Sequence, residues 1–433
     1  MPNDQPADIS LPSFAGLPEG PGGPLAGLTI IELGHFVAAP HCTRVLADLG
    51  ARVIKVEPPV KGDPVRTWGE HVNGRSLWFS VHGRNKLCVT ANLKSPDGIQ
   101  LAKDLIAKAD AVVENFKPGQ LEKFGLGPKE IERLSPGCVF TRISGYGQTG
   151  PRAQMAAFGV IGESIGGLRH LTGFPKGMTD LPPARVGVSL GDMIAGLYAA
   201  VGMLAALYER GKVGPDAHKE GYMGRVVDAA LTESVFSFLE GCLPEYGKLG
   251  KIREPYGSTL PTTAPSDAYM AKTGEWFLIG ANSDPLFQKL ANLMGQPDLP
   301  KDPRFVDNQS RVKHVSALDA LIRAWAATQT IDELEQKVGG EDIPSGRVYT
   351  IEDCTRDSQY LERGMIRTVE DPHFGDVLHP GVVPMMTGGP KGSTGGGVAW
   401  AGPAVGAHND IIYRGVLGRS TDELARLTQT GAI

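Results

Sequence analysis

The chain has little of what several protein classes require, beginning with cysteine. Its 433 residues include five scattered cysteines and no Cys-x-x-Cys pair; they are Cys42, Cys88, Cys138, Cys242 and Cys354. An odd, dispersed set argues against both a disulfide framework and a zinc site, and it is typical of thiols that stay reduced. We therefore predict a cytoplasmic protein without a metal ion.

Charge of one sign and long apolar segments are also scarce. The formal net charge is -5, so no basic excess is available for a nucleic-acid backbone. No apolar run reaches the roughly 18 residues of a membrane-spanning helix. Residues 1–24 carry Pro, Gly, Asp and Glu but no Lys or Arg, which predicts a flexible extension and not a targeting peptide. We expect neither nucleic acid nor membrane as a partner.

The first part of the chain alternates between strand and helix patterns. Thr29 to Leu33 is a short apolar strand, Pro40 to Leu49 a helix that starts with Pro and precedes Gly50, and Arg52 to Glu57 a second strand. A strand, a crossover helix and a strand predict parallel pairing. The fold class predicted is α/β, with a doubly wound, Rossmann-like sheet.

A dinucleotide or nucleoside triphosphate site is disfavoured by the first turn of this unit. The turn reads Gly34-His35-Phe36-Val37-Ala38-Ala39-Pro40. It lacks the G-x-G-x-x-G spacing that brings backbone close to a pyrophosphate, although Glu57 stands where a ribose-binding acid would. No G-x-x-x-x-G-K-[ST] occurs either.

The later segments suggest a division of the chain. An apolar helix is predicted over about Asp192 to Arg210 and a further helix over Val227 to Leu239. Residues 265 to 340 have the pattern of a smaller α/β domain, and Ser420-x-x-Glu423 is a capping box. The predicted organisation is an extension (1–24), the first part of a large domain (25–225), linker helices with a small domain (226–344), and a C-terminal return that completes the large domain (345–433).

Seven short segments, in this order and spacing, resemble the class III coenzyme A transferase family. That family includes formyl-CoA transferase and α-methylacyl-CoA racemase. The segments are LAGL (25–28), ADLGA (47–51), VIKVE (53–57), GDPVR (62–66), VENFKPG (113–119), SGYG (144–147) and GVSLGD (187–192). The resemblance covers nearly the whole chain after about Pro24, and it implies two chains interlocked as a homodimer, each with a large and a small domain.

The resemblance implies that Asp192 is a catalytic nucleophile. In the family an aspartate at this place attacks the acyl-CoA thioester, passes through a mixed anhydride and then carries CoA as a thioester. Covalent catalysis of this kind divides one difficult exchange into easier steps. Asp192 also follows Gly191 at the start of a predicted helix, where an aspartate is commonly no more than an N-cap.

Coenzyme A would enter as a thioester substrate and not as a permanently bound cofactor. Lys94 and Lys123 are natural phosphate partners, although solvated lysines are common. Asn115 and Phe116 follow a strand, where open α/β sheets bind ligands; Phe116 could equally be core. By position, the resemblance assigns CoA contacts to His35, Phe36, Val37, Ala38, Lys94, Asn115, Phe116, Lys123 and Tyr146.

The racemase branch has a His-Asp pair where this chain has Phe158 and Gly159. Without that histidine a proton shuttle loses half its groups, so transfer is favoured over racemisation, although the nearby His170 could substitute. The glycine-rich loop of formyl-CoA transferase is also absent, since residues 257–263 read GSTLPTT. Closure over the site and substrate choice are therefore expected to differ.

The segment from Phe158 to Gly173 resembles family members that pass CoA from succinyl-CoA to small dicarboxylates. Arg169, His170 and Arg185 could pair with a distal carboxylate, or could form ordinary surface salt bridges. Glu163 could orient the acyl carbonyl or bond within the site. The function predicted is CoA transfer to a small carboxylic acid, with an acyl-CoA racemase and a non-catalytic CoA-binding homologue as alternatives.

Overall fold

The computed structural model describes Leu17 and residues 20–214 and 223–433, and these form two compact units. The first unit takes the chain as far as Leu168 together with Val186–Pro244 and Arg363–Ile433. The second unit consists of Arg169–Arg185 and Glu245–Glu362. Most of the predicted N-terminal extension, residues 1–16, 18 and 19, lies outside the described residues.

The first unit is built on a six-stranded parallel sheet of order β5-β2-β1-β6-β7-β8. Strands β5, β6 and β7 are buried along their whole length, because helices cover both faces of the sheet. The first eight strands are β1 (Thr29–Glu32), β2 (Arg52–Glu57), β3 (His71–Val72), β4 (Arg75–Ser76), β5 (Lys86–Thr90), β6 (Ala111–Glu114), β7 (Val139–Ser144) and β8 (Val226–Ala230).

The described residues from 29 to 214 and from 223 to 249 contain ten α-helices, of which the seventh and the tenth lie mostly in the second unit. They are α1 (Ala38–Asp48), α2 (Leu77–His82), α3 (Pro96–Ile106), α4 (Gln120–Lys123), α5 (Pro128–Leu134), α6 (Gly159–Ile165), α7 (Leu168–Leu171), α8 (Leu190–Val213), α9 (Leu231–Phe236) and α10 (Cys242–Leu249). One apolar core packs α3 against one face of the sheet, and a second packs α1 and α8 against the other. The predicted parallel α/β sheet is confirmed.

Helix α8 lies on that second face because its small residues allow close approach. A Cβ on Gly196 would come within 2.7 Å of the Ala38 carbonyl oxygen of α1. Within the part of the chain that the structure describes, α8 is the one helix that by length and composition could span a membrane, with a mean hydropathy of 1.7 over 18 residues. The expectation that no apolar run is long enough is therefore wrong, although a core helix has the same composition and Ala195, Ala199 and Met203 are buried in the core.

The second unit contains a three-stranded antiparallel sheet of order β11-β10-β9 with helices packed on it. Its core is rich in aromatic side chains, including Tyr269, Phe277, Phe287 and Phe305. Its elements are β9 (Ser266–Met270), β10 (Trp276–Gly280), β11 (Ser345–Arg347), α11 (Asp284–Leu293), α12 (Asn308–Lys313), α13 (Val315–Ala326), α14 (Ile331–Leu334), α15 (Ile351–Arg356) and α16 (Ser358–Glu362).

The chain then returns to the first unit as a hairpin of β12 (Ile366–Asp371) and β13 (Gly375–Pro380), followed by α17 (Asn409–Tyr413) and α18 (Thr421–Gln429). The predicted capping box at Ser420 and Glu423 is confirmed at the start of α18. Residues 381–408 contain no helix or strand.

Two predictions about the middle of the chain are corrected by strand pairing. The predicted helix over Val227 to Leu239 begins as β8, which pairs with β7, and becomes helical only at Leu231. Its β-branched start therefore extends the large sheet, so the first unit continues to Pro244 instead of ending at residue 225. At the other end, β11 pairs with β10, so the return begins at Arg363 and not at residue 345.

Candidate active site

The carboxyl ends of the parallel strands bring predicted CoA contacts together. His35 follows β1 and Asn115 follows β6, and these strands are neighbours in the sheet. The His35 amide donates to Asn115 Oδ1 at 2.8 Å, and Asn115 Nδ2 donates to the His35 carbonyl oxygen at 2.7 Å. This reciprocal pair fixes the turn after β1 against the turn after β6, at the edge where such sheets bind ligands.

The turn after β1 is supported from below by a buried network of charges. Lys55 Nζ contacts Glu32 Oε1 at 2.6 Å and Asp63 Oδ2 at 2.7 Å, and Lys86 Nζ contacts Glu32 Oε2 at 2.8 Å. Burial alone would raise the pKa of Glu32, but the two lysines hold it below its ordinary value. The network therefore holds fixed ion pairs next to the turn that is predicted to contact CoA.

Asp63 links this network to the turn itself. Its Oδ1 accepts from the Phe36 amide at 2.9 Å, and Phe36 has a positive φ of 63°, a conformation that side-chain-bearing residues adopt only when held. Burial lowers the pKa of His35, so its imidazole is neutral near pH 7. The His35 ring meets the Phe116 ring edge-on at 5.3 Å.

Asp192 lies in the first turn of α8, next to α6. A Cβ on Gly159 would come within 2.0 Å of Asp192 Oδ2, so the carboxylate rests against the bare α-carbon of that glycine. Phe158, the preceding residue, meets the Phe36 ring at 5.8 Å. Residues 158 and 159 therefore connect the two places: Gly159 contacts Asp192, and the Phe158 ring contacts Phe36 in the turn after β1.

Glu163 lies in α6 with its side chain buried. Its Oε1 accepts from the Gly191 amide at 3.2 Å, and Gly191 is the residue before Asp192. The carboxylate thus binds one of the amides at the start of α8, which have no partner within the helix. This hydrogen bond is the kind expected of the second predicted role, bonding within the site, and both predicted roles of Glu163 stay predictions.

Comparison with known proteins bears directly on this arrangement. The family model of CoA-transferase family III matches residues 25–409. The chain belongs to CoA-transferase family III. It is an enzyme of the CoA-transferase class, which moves CoA between acyl-CoA thioesters and carboxylic acids.

Named relatives cover almost the whole chain. The chain is 45% identical over 408 residues to a succinyl-CoA–D-citramalate CoA-transferase of Chloroflexus aurantiacus, covering 94% of this chain and 97% of that one. It is 34% identical to the β subunit of a succinyl-CoA–L-malate CoA-transferase of the same organism, covering 93% and 96%. A CaiB/BaiF family crystal structure from Brucella suis is 31% identical, with a TM-score of 0.77 over 91% of this chain and all of that one.

The other predicted contacts of this family III chain occupy different settings. Val37 and Ala38, at the start of α1, are buried, at 2% and 3% exposure. Lys123, at the end of α4, is exposed, as is Lys94, whose amide donates to Asn92 Oδ1. Tyr146 is partly buried after β7.

The residues predicted to bind the acceptor belong to the second unit. Arg169 Nε donates to the Pro183 carbonyl oxygen at 3.3 Å, and His170 Nε2 lies 3.7 Å from Glu254 Oε2. Arg185 is exposed. These contacts of Arg169 and His170 lie within the second unit, and contact of the three side chains with an acceptor stays a prediction.

Two features of the sequence are clarified by the structure. Residues 162–166 read Gly-Glu-Ser-Ile-Gly, a G-x-S-x-G pattern, but they continue α6 into its C-cap and make no strand-to-helix turn of a nucleophile elbow.

The supporting role of Lys55 and Asp63 was missed by sequence reasoning. The available signal was the GDPVR segment at 62–66, a match without an assigned role.

Proposed function

We propose that the chain transfers CoA from succinyl-CoA to a small dicarboxylic acid, with Asp192 as covalent nucleophile. The observation that carries the proposal is the Asp192 carboxylate, set against Gly159, whose neighbour Phe158 contacts Phe36 in the turn after β1. The donor and acceptor class are supported by the names of the D-citramalate and L-malate relatives.

The exchange follows from carboxylate and thioester chemistry. An Asp192 oxygen attacks the succinyl thioester carbonyl and CoA leaves as thiolate, which gives a succinyl–aspartyl anhydride. The thiolate then attacks the aspartyl carbonyl, releases succinate and leaves CoA as a thioester on Asp192. The acceptor carboxylate attacks that thioester, and the released thiolate attacks the acceptor's acyl carbonyl, which yields the new acyl-CoA and free Asp192.

The residues around Asp192 suit these steps. Asp192 lies in the first turn of α8, and the positive end of a helix dipole stabilises negative charge at that place. Gly159 leaves the space that the anhydride and thioester need. The His35 imidazole is neutral. It therefore does not attract an anionic group in preference to the apolar pantetheine arm of the acyl-CoA.

The pair Phe158-Gly159 also weighs against racemisation. An aspartate at position 159 would place its Cβ 2.0 Å from Asp192 Oδ2, so a His-Asp pair does not fit here without displacing the nucleophile. For the acceptor, we assign the distal carboxylate to Arg169, His170 or Arg185, because guanidinium groups match carboxylate geometry.

The proposal includes an interlocked homodimer in the cytoplasm. Helix α8 exposes large apolar side chains on the face turned away from the sheet: Leu197 at 47%, Val201 at 62% and Tyr208 at 67%. Apolar patches of this kind mark protein interfaces. The five cysteines are all free thiols, which fits a reducing compartment.

The test is a mass-spectrometric assay of the purified protein with succinyl-CoA and a pool containing malate, citramalate, mesaconate and itaconate. We expect one new acyl-CoA and an equal amount of succinate. If no acid in the pool and no other donor thioester exchanges, the proposed transfer is wrong. Deuterium uptake from solvent at the α-carbon of a 2-methylacyl-CoA would then point to racemisation.

A further inference from the structure

Arg142 occupies a central place under the CoA-binding edge of the sheet. It lies on β7 directly beside Glu114, the last residue of β6, and the two are paired in register. Arg142 Nε donates to Glu114 Oε1 at 2.7 Å. Both residues are buried, at 5% and 0% exposure, so this is an interior ion pair at the strand ends.

The second oxygen of Glu114 holds the turn that follows β6. Glu114 Oε2 accepts from the Phe116 amide at 2.6 Å. Between them lies Asn115, whose side chain makes the reciprocal pair with the His35 backbone. Glu114 thereby fixes the backbone of the Asn115–Phe116 turn while its first oxygen is bound by Arg142.

The other edge of the Arg142 guanidinium reaches a different segment. Nη1 and Nη2 donate to the two oxygens of Glu122 at 2.7 Å and 3.2 Å. Glu122 belongs to the short helix α4 and directly precedes Lys123. A planar guanidinium with five donors can bind one carboxylate through Nε and grip both oxygens of a second through its Nη atoms, whereas a lysine ammonium has no such fork.

We infer that Arg142 is a positioning residue for coenzyme A, which sets Phe116 and Lys123 at fixed places through Glu114 and Glu122. The inference rests on the proposed function, because it takes these two residues as CoA contacts. Arg142 touches no substrate itself. It acts by fixing the position of the segment with Phe116 relative to the segment with Lys123.

A role in stability alone accounts less well for the arrangement. A buried ion pair contributes little net stability, because desolvation offsets most of the attraction. Burial raises the pKa of Glu114 to about 7 even with Arg142 bound to it, so the pair is held at a cost. What the pair does provide is a link between two segments, and small displacements of binding groups cost large factors in rate or affinity.

The experiment measures binding of desulfo-coenzyme A, which lacks the thiol and cannot turn over, to the full-length protein by calorimetry. The variants are Arg142→Met and Glu122→Gln, with Arg133→Met as control. Arg133 is an exposed arginine that pairs with Glu130 on α5. Glu122 is partly exposed, so Glu122→Gln keeps the interior pair and removes only the charge that holds α4.

We expect desulfo-coenzyme A to bind about tenfold more weakly to Arg142→Met and severalfold more weakly to Glu122→Gln, and unchanged to Arg133→Met. KM for acyl-CoA should rise with it, while kcat at saturation stays within about twofold. If Glu122→Gln binds as wild type does, the inference is overturned, and this holds even if Arg142→Met fails to fold. If wild type binds desulfo-coenzyme A but transfers nothing, the proposed function fails and this inference does not.

Discussion

The carboxylate of Asp192 lies against the α-carbon of Gly159, so close that a Cβ there would be 2.0 Å from Oδ2 and 3.0 Å from the Asp192 amide nitrogen. The proposed nucleophile can therefore take this position only because residue 159 has no side chain. The two residues come from different helices, α8 and α6, and their contact defines the space in which an acyl group could reach Asp192.

The first prediction concerns that contact. Gly159→Ala places a methyl group where Oδ2 now lies, so Asp192 must rotate away. We expect kcat to fall by about 100-fold, the loss that a misplacement of roughly 1 Å produces. The matched control is Gly211→Ala in α8, where nothing lies within 4 Å; it should keep full activity and gain up to ~1 kcal/mol in free energy of unfolding. Equal activity in both variants would contradict the account.

The second prediction concerns Glu163, which accepts a hydrogen bond from the Gly191 amide. Glu163→Ala removes the acceptor at the start of α8 and should lower kcat about tenfold or more, together with a stability loss of about 1 kcal/mol, as for loss of a helix cap. Glu163→Gln keeps an acceptor of the same shape and should recover most of kcat. If kcat of Glu163→Gln is as low as that of Glu163→Ala, the negative charge is required, and the carboxylate does more than orient α8.

The third prediction concerns the reciprocal pair of Asn115 and His35. Asn115→Asp keeps the acceptor for the His35 amide but turns the donor to the His35 carbonyl into a second acceptor. We expect KM for acyl-CoA to rise about tenfold, because one lost hydrogen bond and one repulsive contact are worth roughly 1.4 kcal/mol. KM for the acceptor acid, measured at saturating acyl-CoA, should be unaffected.

The fourth prediction concerns pH and stability. Burial lowers the pKa of His41 to about 3 and of His379 to about 4, while the unfolded chain binds these protons near pH 6.5. Stability is therefore present above pH 6.5 and is lost as pH falls below it, by about 1.4 kcal/mol per pH unit for each such histidine. The pKa of Glu114 is raised, so the folded chain binds this proton more tightly than the unfolded chain does. Between about pH 7 and pH 4.5 its contribution to the stability slope has the opposite sign and cancels that of one histidine.

Denaturant unfolding at pH 7.5, 6.5 and 5.5 measures this slope. His41→Gln should reduce the slope below pH 6.5 by the amount that belongs to one group, whatever its effect at pH 7.5. An unchanged slope in His41→Gln would show that its imidazole is protonated in the folded state.

Much of the fold follows from local pattern. The apolar runs at Thr29 and Arg52, with a helix between them that starts with Pro, predict parallel strands, and the sheet confirms them. The Ser420–Glu423 box predicts a helix start from four residues alone. These features depend on neighbours in sequence, so the sequence is sufficient for them.

The errors arise where distant pairing decides. Residues 226–230 favour either helix or strand, and only the edge of β7 makes them a strand. The charge network of Lys55 and Asp63, and the Arg142 link to Glu122, join residues far apart in the chain, so no spacing rule could show them. For Asp192 the sequence offered a family resemblance, and the structure adds the contact with Gly159.

The most direct test of the central claim is to trap the CoA thioester on the enzyme. Wild-type protein is mixed with succinyl-CoA without an acceptor, quenched in acid and digested, and the peptides are mapped by mass spectrometry. The account predicts a CoA adduct on the peptide that contains Asp192, absent in Asp192→Ala, whose transfer activity should also be lost. An adduct on another residue, or an Asp192→Ala protein with full turnover, would contradict it.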